Sequence, residues 1–416
     1  MTSRARRALP VAGLVLGLSM GLANVMGYVF VALVSSTLGP ADFGGFSALN
    51  SYGVLLALPA GAYQLVVARR QSPRFRASGR HVTGLRSALA VGSVLALVTI
   101  ALSPALAHQL RLDTAWSVVW LALMLPPMML TGALQGVLLG RGRLGRLSLG
   151  YLVTAGTRLV AAVVAVLAGF DVVEVFAATL LASVVTLGCV LVLTRRELAG
   201  GTSARGLLRD LVRSNLALAG LMALSSVDVM LARTVLTDHD SGSYALAALF
   251  GKVVFWGTQF VALAIVPRLA EVAEGSPGAM RATVYRSAAG VLAIGGVVAL
   301  GCALLPGPLV ALSGGAAFTD AEPLLVWSAI IGTLWAVVQV WLFAGMTRGH
   351  HVLTVVVWVA AGVQSLLVLV WFNDSPYEVL AAVGGTAAVV AVVGLLTAPG
   401  GEAPLPRTDP AEALVA

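Results

Sequence analysis

The 416-residue chain is 59% hydrophobic and 11% charged, with a mean hydropathy of +0.95; soluble domains carry roughly 25% charged residues, so this composition excludes a water-soluble globule and indicates a polytopic membrane protein. A net charge of +8 would otherwise point to nucleic acid, but the arginines concentrate in short loops where membrane topology accounts for them, and no nucleic-acid partner is expected. Cys189 and Cys302 both fall in apolar runs and offer no disulfide framework.

The N-terminal stretch carries Arg4, Arg6 and Arg7 and leads into an apolar run from Val11 without a small-x-small cleavage site, which reads as a retained first span. A helix needs about 20 apolar residues to cross the hydrocarbon core. Breaks at charged, Gly/Pro and Asn/Asp clusters then predict twelve spans, over 11–38, 43–68, 84–107, 115–139, 147–168, 172–194, 214–236, 243–267, 285–305, 321–345, 351–372 and 378–397. Alternate loops are basic, with Arg69, Arg70, Arg74, Arg76 and Arg80 after span two, Arg141 and Arg143 after span four, and Arg195, Arg196, Arg205, Arg209 and Arg213 after span six. The intervening loops hold one arginine, Arg111, and instead carry Asp42, Asp113, Asp171, Asp238, Asp240, Asp320 and Asp374. By the positive-inside rule the basic loops and both termini are cytoplasmic. The tail 398–416, with Pro404, Pro406 and Pro410, has no apolar periodicity and is expected to be disordered.

Sliding the sequence by about 198 residues brings Phe43-Gly44-Gly45-Phe46 onto Ser241-Gly242-Ser243-Tyr244 and Gly53 onto Gly251, a faint internal repeat. Six spans per half is an even number, so the halves share one orientation and are related by an axis along the membrane normal. The expected architecture is all-α: an N-terminal six-helix bundle (1–196), a cytoplasmic linker (197–213) and a C-terminal six-helix bundle (214–397), facing each other across a central cavity.

Four ionisable residues lie inside otherwise apolar runs: Arg158, Asp228, Arg233 and Lys252, the last being the chain's only lysine. Such groups are costly at membrane depth and face a protein interior or a wet cavity. At 1.5 Å per residue, Arg158 lies about 16 Å from the basic end of its span, near the midplane. Counted the same way, Lys252 and Asp228 lie about 13 and 12 Å from the acidic ends of adjacent spans, where they can pair. Two readings of that pair stand open: a structural ion pair fixing the hairpin, or a carboxylate coupling transport to protons or sodium. Arg233 lies within about one turn of the interface and can snorkel there. Asn24, Gln64, Gln135, Gln259, Gln339 and Gln364 either line a hydrated path or hydrogen-bond between helices.

Asn24-Val-Met-Gly-Tyr28 through Leu38-Gly-Pro-Ala-Asp-Phe-Gly44 to Val67-Ala-Arg69 resembles the opening of polysaccharide transporters in the multidrug/oligosaccharidyl-lipid/polysaccharide flippase superfamily. Asp228 to Arg233 with Ser241-Gly-Ser-Tyr244 and Pro267-Arg268 is similar to that family's seventh and eighth spans, and Leu134-Gln-Gly136 through Gly140-Arg-Gly-Arg143 to Thr157-Arg158 to its fourth and fifth. The resemblance implies an alternating-access flippase for a polyprenyl-pyrophosphate-linked oligosaccharide, acting in polysaccharide biosynthesis in the cytoplasmic membrane, among membrane lipids and alongside a polysaccharide polymerase or ligase. For that cargo Arg158, Lys252 and Arg233 are the candidate substrate-binding cations, since guanidinium binds phosphate oxygens in pairs.

Enzymatic readings find little support. Gly251-Lys252 is followed by Val253 and is no phosphate-binding loop. The five histidines show no metal-ligand spacing and no Ser/His/Asp arrangement is visible, so no catalytic residue, metal or cofactor is expected. Short acidic-side loops disfavour a membrane-embedded glycosyltransferase or polymerase, and buried charge disfavours a passive scaffold. The nearest alternative is an ion-coupled small-molecule or multidrug antiporter of the same superfamily.

Overall fold

The structure, a computed structural model, describes residues 3–72, 82–198, 207–258, 277–347 and 352–397. Within these every regular element is helical, as hydrocarbon demands of a chain that must satisfy its own backbone. The first bundle comprises α1 (Ser3–Thr37), α2 (Pro40–Arg70), α3 (Leu85–Ala101), α4 (Ser103–Gln109), α5 (Trp116–Gly140), α6 (Leu144–Ala168) and α7 (Val172–Thr194). The second comprises α8 (Leu207–Leu224), α9 (Val227–Val235), α10 (Asp238–Gly257), α11 (Pro277–Leu304), α12 (Pro306–Ser313), a 3₁₀ segment Ala316–Leu324, α13 (Leu325–Thr347), α14 (Val352–Val370) and α15 (Pro376–Thr397).

Local chemistry sets the boundaries. Pro40 opens α2, and Asp171 with Glu174 forms a reciprocal capping box at the start of α7. Thr237 caps α10 by accepting from the Asp240 N–H at 3.1 Å, and Gly169, at φ 66°, ends α6 in the left-handed region. Pro59 in α2 and Pro126 and Pro127 in α5 lie inside helices that continue past them.

The protein is a multi-pass membrane protein. Ten described segments are long and apolar enough to span a membrane, and eleven if α3 with α4, bent by 60° at Leu102, is one broken span, against the twelve expected. This pair occupies the stretch where a span is expected over 84–107. Where a span is expected over 243–267, the helix begins earlier, at Asp238, and is described as far as Thr258, and this described part is not among the ten segments; Gln259, Pro267 and Arg268 lie outside the described residues. The same holds for residues 199–206 of the expected linker and for the tail 398–416, while α8 already begins at Leu207.

Helix pairings in the first half recur in the second. Helices α2 and α3 pack on α5 as α10 and α11 pack on α13, and α7 joins α5 and α6 as α15 joins α13 and α14. The repeated glycines do the same work. A Cβ at Gly53 would lie 2.7 Å from Leu121 of α5, and one at Gly251 would lie 2.5 Å from the Ser328 carbonyl oxygen of α13.

One end of the molecule collects the Asp-rich loops and is termed the acidic end; the other, Arg-rich, is the basic end. At the basic end Glu197 receives Arg141 at 2.9 Å, Arg143 at 3.0 Å and Arg146 at 3.4 Å, so these three arginines tie the segment after α7 to the α5–α6 turn and the start of α6. At the acidic end the bundles touch along α2 and α10. Gly242 is packed so closely on Pro40 that a Cβ would lie 1.9 Å from its carbonyl oxygen. Phe43 meets Phe318 edge-on at 5.6 Å between ring centroids, and the Ser35 hydroxyl donates to the Ser313 carbonyl.

Candidate functional site

Arg158 borders three adjoining chambers, two of about 390 and 380 Å³ lined from both bundles and one of about 200 Å³ lined from the first bundle alone. Helix α6 carries this residue about 15 Å from its nearer end. The guanidinium carbon lies 5.3 Å from the centroid of the Phe30 ring, a cation–π contact. Its Nε is buried without a hydrogen-bond partner. A buried cationic donor left open in this way is poised for an acceptor that enters the cavity.

Lys252, on α10, borders the largest chamber from the opposite bundle. Its ammonium donates to the Ser51 hydroxyl of α2 at 3.3 Å, and its backbone carbonyl accepts from the Tyr28 hydroxyl of α1 at 2.9 Å. The cavity thus has a cation from each half. Among the described residues that line its three chambers there is no carboxylate.

The ion pair expected between Asp228 and Lys252 does not form. Asp228 is 1% exposed, and its Oδ2 accepts from the Tyr244 hydroxyl at 3.1 Å while Oδ1 has no partner. The reason is axial. With α10 starting at Asp238, Lys252 lies about 21 Å along that helix from its acidic end, whereas Asp228 lies about 10 Å from the acidic end of α9. Tyr244 is at the matching depth instead. Asp228 therefore sits behind the cavity wall, whose surface here is made by Ser225, Ser226 and Val229.

Arg233 corrects a second expectation. It neither snorkels nor reaches the cavity: at 3% exposure it is buried in the contact between bundles. Its Nε donates to the Leu110 carbonyl at 2.9 Å, Nη2 to the Arg111 carbonyl at 3.0 Å and Nη1 to the Ser241 hydroxyl at 3.1 Å. Asp238 completes the set at 3.1 Å. A guanidinium so fully engaged by protein has little left for a substrate.

The amide residues divide. Asn24, Gln64, Gln135 and Gln339 line the chambers, Gln64 donating to the Tyr151 hydroxyl and Gln339 keeping an unpartnered Oε1. Gln364 serves structure: its amide donates to the Leu224 carbonyl at 3.2 Å, where the helix is interrupted between α8 and α9, and its oxygen accepts from Thr386 at 2.9 Å. Asn50, which borders two chambers, and Ser51 and Tyr151 escaped notice in the sequence. A single neutral polar residue in an apolar helix is too common to flag a cavity. Among the described residues no group of three His, Cys, Asp or Glu side chains is gathered as for a metal.

No family profile and no curated protein matches the chain. Solved structures do. A multidrug resistance MATE family transporter of the MOP superfamily, in an inward-facing conformation, superposes with a TM-score of 0.75 at 14% identity, over 92% of this chain and 96% of that one. The lipid II flippase MurJ, in an inward closed conformation, gives 0.70 at 8% identity, over 92% and 87%. A MOP superfamily transporter from Pyrococcus furiosus, described as having a binding pocket of reversed polarity, gives 0.60 at 15% identity, over 92% and 94%. The chain thus has the fold of MOP superfamily transporters, and the proteins it matches are transporters, not enzymes.

Proposed function

We propose that this protein is a flippase of the polysaccharide transporter family, carrying a polyprenyl-pyrophosphate-linked oligosaccharide across the cytoplasmic membrane by alternating access. The basic end and both termini face the cytoplasm in this reading. The observation that carries it is the pair Arg158 and Lys252, one from each bundle, on a cavity whose described lining has no carboxylate. An anionic head group gains most from such a site, because a charge withdrawn from water must be met by opposite charge and donors. Arg158 supplies the fork-shaped donor that pyrophosphate oxygens match, and Lys252 a point charge. Asn24, Asn50, Ser225 and Tyr151 offer hydroxyl and amide partners for attached sugars. The polyprenyl tail stays in lipid while the head group crosses. A polymerase or ligase on the far face is the partner this reading implies.

The test is reconstitution of the purified protein in liposomes with a fluorescent polyprenyl-pyrophosphate oligosaccharide, followed by a quencher or glycosidase added outside, with and without a proton gradient. Protein-dependent movement between leaflets is the expected result. The likeness to a multidrug transporter favours a second reading, an ion-coupled small-molecule or multidrug antiporter. Gradient-driven efflux of cationic drugs, without movement of the lipid-linked sugar, would establish it instead.

A further inference from the structure

Lys252 touches the opposite bundle twice, through its side chain to Ser51 and through its carbonyl from Tyr28. Ser51 is 3% exposed and belongs to the same α2 face that carries Gly44 and Pro40 against α10. The helices α2 and α10 both run from the acidic end inward. Their contact starts at Pro40 and Gly242 and extends to Ser51 and Lys252, beside which the largest chamber is lined. The ammonium therefore has two duties at one place: it ties the bundles, and it borders the space a ligand would fill.

We propose that these duties compete, so that Lys252 acts as a ligand-released tie. With the cavity empty, its ammonium holds Ser51 and favours the state in which the acidic end is closed. An anionic group in the cavity draws the ammonium away from a neutral hydroxyl, because a charge–charge hydrogen bond is the stronger of the two. The tie is then lost at the inner limit of the α2–α10 contact, and the bundles separate more readily at the acidic end. This rests on the anionic-cargo reading above. It goes beyond that reading in making Lys252 a positioning residue whose effect on bundle separation does not depend on transport itself. A ligand biases such an equilibrium only through contacts that differ between the two states, and the Ser51 bond is such a contact.

The experiment uses the full chain in detergent, with Cys189 and Cys302 replaced by alanine and spin labels at Thr114→Cys and Ala317→Cys, exposed positions in the acidic-end segments of the two bundles. Interspin distances report separation there, and inorganic pyrophosphate is the probe. One hydrogen bond with a charged donor shifts a two-state population by about ten- to a hundredfold. Ser51→Ala is expected to raise the long-distance population by about that factor without ligand. Pyrophosphate is expected to raise it in the wild-type background and to leave Lys252→Met unmoved. The double variant Ser51→Ala/Lys252→Met should open no further than either alone, because the two changes remove one bond; two independent packing defects would instead add. An unaltered distribution in Ser51→Ala, or additive opening in the double variant, overturns the tie whatever the cargo is. A Ser51→Ala shift with a wild-type background blind to pyrophosphate overturns the ligand-released tie, while the anionic-cargo reading stands or falls separately with the liposome assay.

Discussion

Arg111 and Arg233 each donate to the other's backbone carbonyl across the boundary between the bundles. Arg233 Nη2 reaches the Arg111 oxygen at 3.0 Å, and a guanidinium N–H of Arg111 returns the bond to Arg233, reaching the Leu236 carbonyl as well. Each arginine thus satisfies carbonyls near the C-terminus of a short helix in the opposite bundle, α4 in one direction and α9 in the other, where a helix end favours positive charge. Asp238 accepts from both, at 3.2 Å and 3.1 Å. The arrangement is a crossed lock on the acidic end.

Removing Arg233 should open that lock. Arg233→Ala leaves the buried Leu110 carbonyl without its donor, a cost of about 1–3 kcal/mol that falls on the closed state, and also removes the bond to the Arg111 carbonyl. The expected outcome is at least a roughly tenfold faster reaction of a cavity cysteine, Asn50→Cys, with an impermeant maleimide added at the acidic side. Asp238→Asn should change that rate far less, because the carboxylate is half exposed and such pairs contribute about 0–1 kcal/mol. Equal effects of the two substitutions would refute this account of the lock.

Gly242→Ala tests the closest approach of the bundles. The new methyl would fall on the Pro40 backbone, which cannot swing aside as a side chain can. The variant should insert normally yet populate the separated state, seen as the same rise in maleimide labelling. Gly257→Ala, where a Cβ meets nothing, is the matched control.

Arg158→Ala should lower transport of a pyrophosphate-linked lipid by roughly ten- to a hundredfold, the worth of one charge-assisted contact. Arg158→Lys should recover only part, because ammonium cannot offer the paired donors of guanidinium. Normal transport by correctly inserted Arg158→Ala would remove this residue from the substrate site.

Tyr244→Phe strips Asp228 of its described side-chain donor, so thermal unfolding in detergent should show a loss of about 1–3 kcal/mol. Lys252→Gln should leave that loss in place, since the ammonium makes no contact with the carboxylate. If Lys252→Gln destabilised the protein as much as Tyr244→Phe, and the double variant no more, the two charges would behave as a pair after all.

The class of fold and the two cavity cations were legible from composition and from charge placed in apolar runs. Arg158 and Lys252 stand out because hydrocarbon tolerates so few ionisable groups. Partnerships were not legible. Depth along a span depends on where its helix begins, and α10 begins five residues before the apolar run that marks it, because Thr237 and Asp240 cap a polar first turn. That offset moved Lys252 away from Asp228 and toward Ser51. Arg233 was misplaced for another reason. Closeness to a span end implies snorkelling only when that end faces lipid, and here it faces the other bundle. The repeated glycines fared better: Gly44 and Gly242, aligned by the repeat, meet at the same contact, since the residue that lets one half approach its twin is wanted on both sides.

The cavity also comes with its own chemical handle. Because Lys252 is the only lysine, an amine-reactive reagent has a single side-chain target in the native sequence, and that target borders the largest chamber. Acylation of unmodified protein, read by mass spectrometry against the N-terminal amine, would report entry to the chamber, and protection by a candidate cargo would count occupied molecules directly. The residue that ties the halves together makes the wild-type protein its own probe.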